Sequence, residues 1–236
     1  IYFDESRLDA NLLAAGTDDG LIQLSTDGGG IWNKTNRPAG LPDFAAISSV
    51  HFSKFDKNTL YASWDNHKDG DFKPYIYVSK DNGNKWQNIS SNLPENGSIK
   101  CLAQDFKTSE LLFVGTEFGV FVSTDEGKWW GQLKSGLPPI AIMDMEIQER
   151  ENDLVLATFG RGFSILDNYA PLRDATSEIY EKEVGILPVK TAKLFQTRNP
   201  IGRGGNGNQG ANYYQEPNPA FGASIFYWVK NSHESP

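Results

Sequence analysis

The chain has 236 residues, 39% hydrophobic and 12% aromatic, a globular composition that excludes a disordered or collagen-like polymer. A net charge of −8 and a pI of about 4.9 argue against nucleic acid and anionic membrane surfaces as partners. The single cysteine, Cys101, excludes a disulfide framework and any multi-cysteine metal site, and no run reaches the ~18 apolar residues of a membrane span.

Taken in chain order, the predicted elements repeat. The chain opens on Ile1 without a signal-peptide pattern, as expected of a processed product or a fragment. Residues 12–20 (LLAAGTDDG) read as an apolar strand ending in a polar turn, and residues 21–24 as a second strand. Ser25-Thr-Asp27-Gly-Gly29-Gly-Ile-Trp32 follows, then the step Leu41-Pro42 and a new strand, ISSVHFS. The order returns as TLYASWDNH (59–67), the strand Tyr75 to Val78, Ser79-Lys-Asp81-Asn-Gly83-Asn-Lys-Trp86, Leu93-Pro94 and IKCLAQDF. It returns again as LLFVGTEFG (111–119), Val120 to Val122, Ser123-Thr-Asp125-Glu-Gly127-Lys-Trp-Trp130, Leu137-Pro138 and IMDMEIQE. All three octets obey Ser-x-Asp-x-Gly-x-x-Trp. Their aspartates lie 54 and 44 residues apart, near the ~40–50 residues of a four-stranded propeller blade. No segment sustains a helical period, so the fold class is all-β.

A catalytic carboxylate would appear once, in one blade. Three equivalents read as structure, each in the turn between the third and fourth strands. There the aspartate accepts hydrogen bonds from backbone N–H groups. Gly29, Gly83 and Gly127 supply a positive φ, and Trp32, Trp86 and Trp130 open the outer strand and pack between blades.

Over residues 1–170 this pattern resembles the BNR or Asp-box repeat of sialidases, xyloglucanase-like glycosidases and sortilin-type receptor propellers. The position before the tryptophan, often Thr in that superfamily, is Ile31, Lys85 and Trp129 here. A fourth half-unit, DLVLATFGRGFSILDN, aligns with LLFVGTEFGVFVSTDE, its box decayed to Asp167-Asn168. The run ATFGRGFSILDNYAPLRD is similar to the closing blade of large secreted bacterial proteins of this type. Counting strands two to four in the first blade, two whole blades and strands one to three in the last gives about three and a half. Since closed propellers have ~4–8 blades, the expectation is the C-terminal part of a larger propeller, its remainder on a missing segment. Residues 171–190 read as a linker or an irregular helical turn. Residues 191–236 read as two strands, AKLFQT (192–197) and ASIFYWVK (223–230), around a Gly/Asn-rich loop, the start of an immunoglobulin-like β-sandwich.

Gly202-x-Gly204-x-x-Gly207 matches the dinucleotide fingerprint by letter, but a polar, Pro-containing loop follows where a helix is needed. Function on a propeller is expected on the face opposite the box turns, on the loops joining strands two and three. These loops carry Asp18 and Asp19; Trp64, Asp65, His67 and Tyr75; Glu117 and Phe118; and Arg161. The second, WDNHKDGDFKPY, is about ten residues longer than its equivalents and accounts for the wider spacing. Its aromatics beside carboxylates suit a glycan or peptide surface, and a solvated loop is the plain alternative. Asp65, Asp69 and Asp71 could ligate calcium, but the spacing lacks the full EF-hand set, so neither metal nor cofactor is expected. Glycosidase chemistry needs two carboxylates ~5–9.5 Å apart, which Asp18, Asp19, Asp65 and Glu117 could supply. A sialidase would need an arginine triad, and only Arg161 sits on this rim. Two readings remain. One is a secreted, periplasmic or cell-surface scaffold that binds a protein or polysaccharide. The other is a xyloglucanase-like glycoside hydrolase. Asn33, Asn88 and Asn96 head Asn-x-Ser/Thr triplets, which matter for glycosylation in a eukaryotic source.

Overall fold

The computed structural model describes residues 2–134, 136–194 and 221–230, in two units, 1–176 and 177–236. Four antiparallel sheets build the first unit. They are β1 (Tyr2–Glu5), β2 (Leu13–Gly16), β3 (Ile22–Ser25) and β4 (Asn33–Lys34); β5 (Ala46–Phe52), β6 (Leu60–Asn66), β7 (Asp71–Ser79) and β8 (Gln87–Asn88); β9 (Ile99–Gln104), β10 (Leu112–Thr116), β11 (Gly119–Ser123) and β12 (Gly131–Leu133); and β13 (Ile142–Gln148), β14 (Asp153–Thr158) and β15 (Phe163–Leu166). Each sheet runs in chain order, and the first strands β1, β5, β9 and β13 neighbour one another in turn. These are blades of a β-propeller.

The first blade is whole, which corrects the sequence count. β1 pairs with β2 through Tyr2↔Gly16 to Glu5↔Leu13. Its YFDE run is largely exposed and lacks the apolar alternation of the other inner strands, so nothing in its pattern marks it as a strand.

Alternation along the strands divides the apolar residues into three cores, one between each pair of blades. In β6, Leu60, Ala62 and Trp64 face the first blade, while Tyr61 faces the third. In β10, Leu112 and Val114 face the second blade and Phe113 the fourth. Both faces of the middle blades are therefore buried, and their strands read as near-continuous apolar runs. Gly115 is small of necessity, since a Cβ there would stand 2.5 Å from the Cys101 sulfur and 2.9 Å from Ile142.

The three Ser-x-Asp-x-Gly turns share one geometry. Ser25, Ser79 and Ser123 donate their hydroxyls to Asp27, Asp81 and Asp125 at 2.7, 2.9 and 2.7 Å. The same serine oxygens accept N–H from Gly29, Gly83 and Gly127 at 2.9, 2.8 and 2.8 Å. The carboxylates accept N–H from Ile31, Lys85 and Trp129 at 2.9, 2.7 and 3.0 Å. These backbone bonds, followed by those from the serines, hold the Asp27 and Asp81 carboxyls below the usual range.

A second repeat, between the first and second strands, ties each turn down. The carbonyls of Asn11, Asn58 and Glu110 accept N–H from Gly28, Asn82 and Glu126. In the fourth blade Asn152 does the same for Tyr169. The turn before β15 holds one residue more than its counterpart in the third blade, because Thr158 faces Gly162 where Thr116 faces Gly119. Leu166, paired with Leu154, therefore occupies the place of Ser123, and Asn168 that of Asp125. Without the serine no box turn forms. A 3-10 helix, Ala170–Asp174, carries Tyr169 and Arg173 back to the third blade. Asp105, fully buried, receives Tyr169 Oη at 2.5 Å and Arg173 Nε and Nη2 at 2.8 and 2.7 Å.

In the second unit, α1 (Ser177–Glu181) precedes β16 (Val184–Ile186), which pairs with β17 (Tyr227–Val229). Tyr180 meets Trp228 edge to face at 4.7 Å. β17 lies within the expected strand 223–230, but its partner comes from the stretch read as linker. Residues 192–194 are not in a strand, and the rest of the expected strand at 192–197, with the loop bearing Gly202, Gly204 and Gly207, lies outside the described residues.

Candidate functional site

The turns joining second and third strands lie at the ends of the blades opposite the Ser-x-Asp-x-Gly turns. The long second turn is an ordered hairpin. β6 continues to Asn66, a 3-10 turn spans His67–Asp69 and β7 begins at Asp71. Two expected rim residues are therefore structural. Trp64 pairs with Tyr75 across the hairpin and is only 1% exposed. Its Nε1 donates to the Gly20 carbonyl at 3.1 Å, and its ring meets Tyr77 and Trp86 edge to face. Tyr75 is buried too, and its hydroxyl donates to Asp71 at 2.5 Å. Burial and that carboxylate push the Tyr75 phenol well above its ordinary value. Backbone pairing that reaches Asn66↔Asp71 carries both strands through the stretch read as a loop.

Asp65 and Glu117 do converge, on Lys100, which no sequence motif marks, and His67 joins them through Asp65. Lys100 Nζ lies 2.6 Å from Asp65 Oδ2 and 3.3 Å from Glu117 Oε1, with its side chain 15% exposed. His67 Nδ1 lies 2.7 Å from the same Asp65 oxygen, and the His67 N–H donates to Asp65 Oδ1 at 3.0 Å. Burial pushes the Asp65 carboxyl up, but Lys100 and His67 outweigh it and hold it below the usual carboxylate range. Register shifts aim these groups. Lys100 is skipped between Ile99↔Thr116 and Cys101↔Gly115, and Asp65 lies where the β6–β7 pairing shifts between Trp64 and Asn66. A lysine inside an apolar strand, SIKCLA, is the one signal that could have found Lys100.

The other predicted residues stay apart. Asp19 accepts from the Thr17 hydroxyl and the Leu21 N–H, which hold its carboxyl low and make it a turn residue. Asp18 is exposed beside it. Phe118 is exposed on the turn next to Glu117, and Arg161 is exposed on the fourth blade between Gly160 and Gly162. Asp65 and Asp71, offered above as calcium ligands, are already engaged. No group of three or more His, Cys, Asp or Glu side chains is placed to hold a metal ion among the described residues. The carboxyls that depart from the ordinary range, Asp19, Asp27, Asp65, Asp71, Asp81 and Asp105, all depart downward.

A cavity of about 140 Å³ lies at the other ends of the inner strands, lined by residues of all four, including Asp4, His51, Lys54 and Glu146. Burial, then the charge of Arg7, pulls the Lys54 ammonium down. Arg7, just past β1, pairs with Glu149, just past β13, and joins the first blade to the fourth. No sequence motif announced this cavity.

No family model and no curated protein matches the chain. Solved structures do. It is similar to the GH74 enzyme of Niastella koreensis at 17% identity and a TM-score of 0.52, covering 70% of this chain and 22% of that one. It is similar to YCF48 bound to D1 peptide at 15% identity and a TM-score of 0.54, covering 72% and 51%. A third is the GH74 xyloglucanase from Xanthomonas campestris at 16% identity and a TM-score of 0.53, covering 70% and 28%. At these identities the likeness concerns the β-propeller fold alone. The chain spans between about a fifth and a half of the proteins it matches. No helix among the described residues is long and apolar enough to cross a membrane.

Proposed function

We propose that these blades belong to a secreted or cell-surface Asp-box propeller of the sortilin-like kind, which binds a protein or glycan on the rim around Asp65, His67, Lys100, Glu117 and Phe118. The observation that carries this is the lysine between the two carboxylates. A glycosidase acid must hold its proton near neutral pH, which requires a raised pKa. Asp65 is instead held low, and Lys100 lies within ion-pair reach of both members of the candidate pair. A carboxylate–ammonium–carboxylate row with an imidazole and an exposed phenylalanine beside it suits hydroxyl, amine and ring contacts. The exposed face of the fourth blade, with Phe163 and Ile165, supports further blades in the whole protein.

One observation favours the hydrolase reading. Both carboxylates touch one ammonium, at 2.6 and 3.3 Å, which limits their nearest oxygens to less than about 6 Å apart, a range that includes the ~5–5.5 Å of a retaining pair. Incubation of the chain with xyloglucan and mixed-linkage β-glucan, scored for both binding and released reducing ends, separates the two. The expected outcome is no turnover. Turnover abolished by Asp65→Asn or Glu117→Gln would establish the hydrolase instead.

A further inference from the structure

In two blades a tryptophan donates its indole N–H to a carbonyl of the preceding blade, at Ile89 for Trp130 and one place further along, at Asn36, for the half-buried Trp86. Trp130, 2% exposed, sits against Ile89 and Leu93 of the preceding blade and Phe121 of its own, and its Nε1 donates to the Ile89 carbonyl at 2.8 Å. Trp86 packs against the first core one blade earlier, its Nε1 donating to the Asn36 carbonyl at 2.8 Å. Counting one blade on, Ile89 becomes Leu133, Leu93 becomes Leu137 and, by strand register, Phe121 becomes Ser164. That seat exists as a cleft of about 260 Å³ lined by Leu133, Leu137, Ser164, Ile165 and Leu166. Ile89 and Leu93 are 4% and 6% exposed under their tryptophan, whereas Leu133 and Leu137 are only half-buried.

The residue that counts to the tryptophan position is Arg173, which the 3-10 helix has carried to Asp105. β15 consequently has no partner on its outer edge among the described residues, while β3, β7 and β11 each pair with a strand of two or three residues. None of the six tryptophans is free to fill the seat. Trp32 opens β4, Trp64 is in the core, Trp86 and Trp130 are seated, Trp129 adjoins Trp130, and Trp228 packs on Tyr180.

We propose that this cleft and the edge of β15 form a docking site for an extended peptide strand from outside these 236 residues, one that inserts a tryptophan and pairs antiparallel with Phe163–Leu166. Edge pairing supplies backbone hydrogen bonds and the cleft supplies side-chain selection. The two filled seats show what fits. They also show one difference: the Asn92 amide clamps the Trp130 backbone at 2.7 and 2.8 Å, and Gly136 stands at the equivalent place. Recognition here therefore rests on the indole and the strand edge. The site is distinct from the rim and does not depend on what the rim binds.

The test is fluorescence anisotropy of a labelled synthetic peptide copying residues 83–91, titrated with the 236-residue chain. Saturable binding is expected. It should weaken at least tenfold when the peptide tryptophan is replaced by alanine, and equally when alternate peptide nitrogens after it are methylated. The Leu133→Arg chain, its fold checked by circular dichroism, should lose the same binding. Equal affinity for tryptophan and alanine peptides, unchanged binding by L133R, or no saturation would overturn the proposal. So would self-association of the chain that L133R abolishes, which would make a second copy the occupant.

Discussion

Replacing Asp105 by asparagine tests the latch that redirects the chain after the fourth blade. The carboxylate is fully buried, and its Oδ2 accepts N–H from Lys107 and Thr108 at 2.9 and 2.8 Å and from Arg173 Nε at 2.8 Å. Its Oδ1 accepts from Tyr169 Oη and Arg173 Nη2. Every neighbour is a donor. Whichever way the asparagine amide turns, its NH₂ faces donors, and the largely buried Arg173 loses its counter-charge. Breaking a buried pair from one side costs about 3–5 kcal/mol. The assay is urea unfolding followed by circular dichroism, with the loss read from the midpoint at unchanged slope. The pH dependence supplies a second reading. Burial raises the Asp105 carboxyl, but the bonds from Arg173 and Tyr169 prevail and set it below the ordinary value. A depressed folded-state pKa gives stability that is present above the unfolded value of about 4 and lost as pH falls through the folded one. D105N should flatten that acid limb. A loss under about 1 kcal/mol, or an unchanged acid limb, would show that the latch does not hold the segment.

Ser79→Ala and Ser123→Ala should each cost about 1–3 kcal/mol, because each leaves a glycine N–H and an aspartate without the buried hydroxyl between them; markedly unequal midpoint shifts would contradict the equivalence of the turns. Burial, reinforced by the charge of Asp144, pushes the Cys101 thiol far above its ordinary value. The native chain should therefore resist iodoacetamide at neutral pH and react only once unfolded, as mass spectrometry would report.

The blade architecture was legible because Ser-x-Asp-x-Gly-x-x-Trp fixes a turn by local hydrogen bonds, which repeat wherever the letters do. The rim was legible only in part. Asp65 and Glu117 meet on Lys100 because register shifts aim Asp65 and Lys100, and such shifts leave no mark on the alternation of residues. Trp64 and Tyr75 were misplaced because charged residues at 65–73 looked like a loop, while pairing carried the strand through them. The fourth turn was misaligned by one residue because a longer hairpin tip is invisible to an ungapped comparison.

The tie between Asn11, Asn58, Glu110 or Asn152 and the following turn secures one side of every blade. The opposite side has no tie common to all four blades, and the hairpin around His67–Asp69 already shows a lengthened tip accommodated there with both flanking strands still paired. That asymmetry makes the tip at residues 67–70 a natural grafting point for foreign sequence. A diversified library displayed there would draw its rigidity from the far end of the sheet.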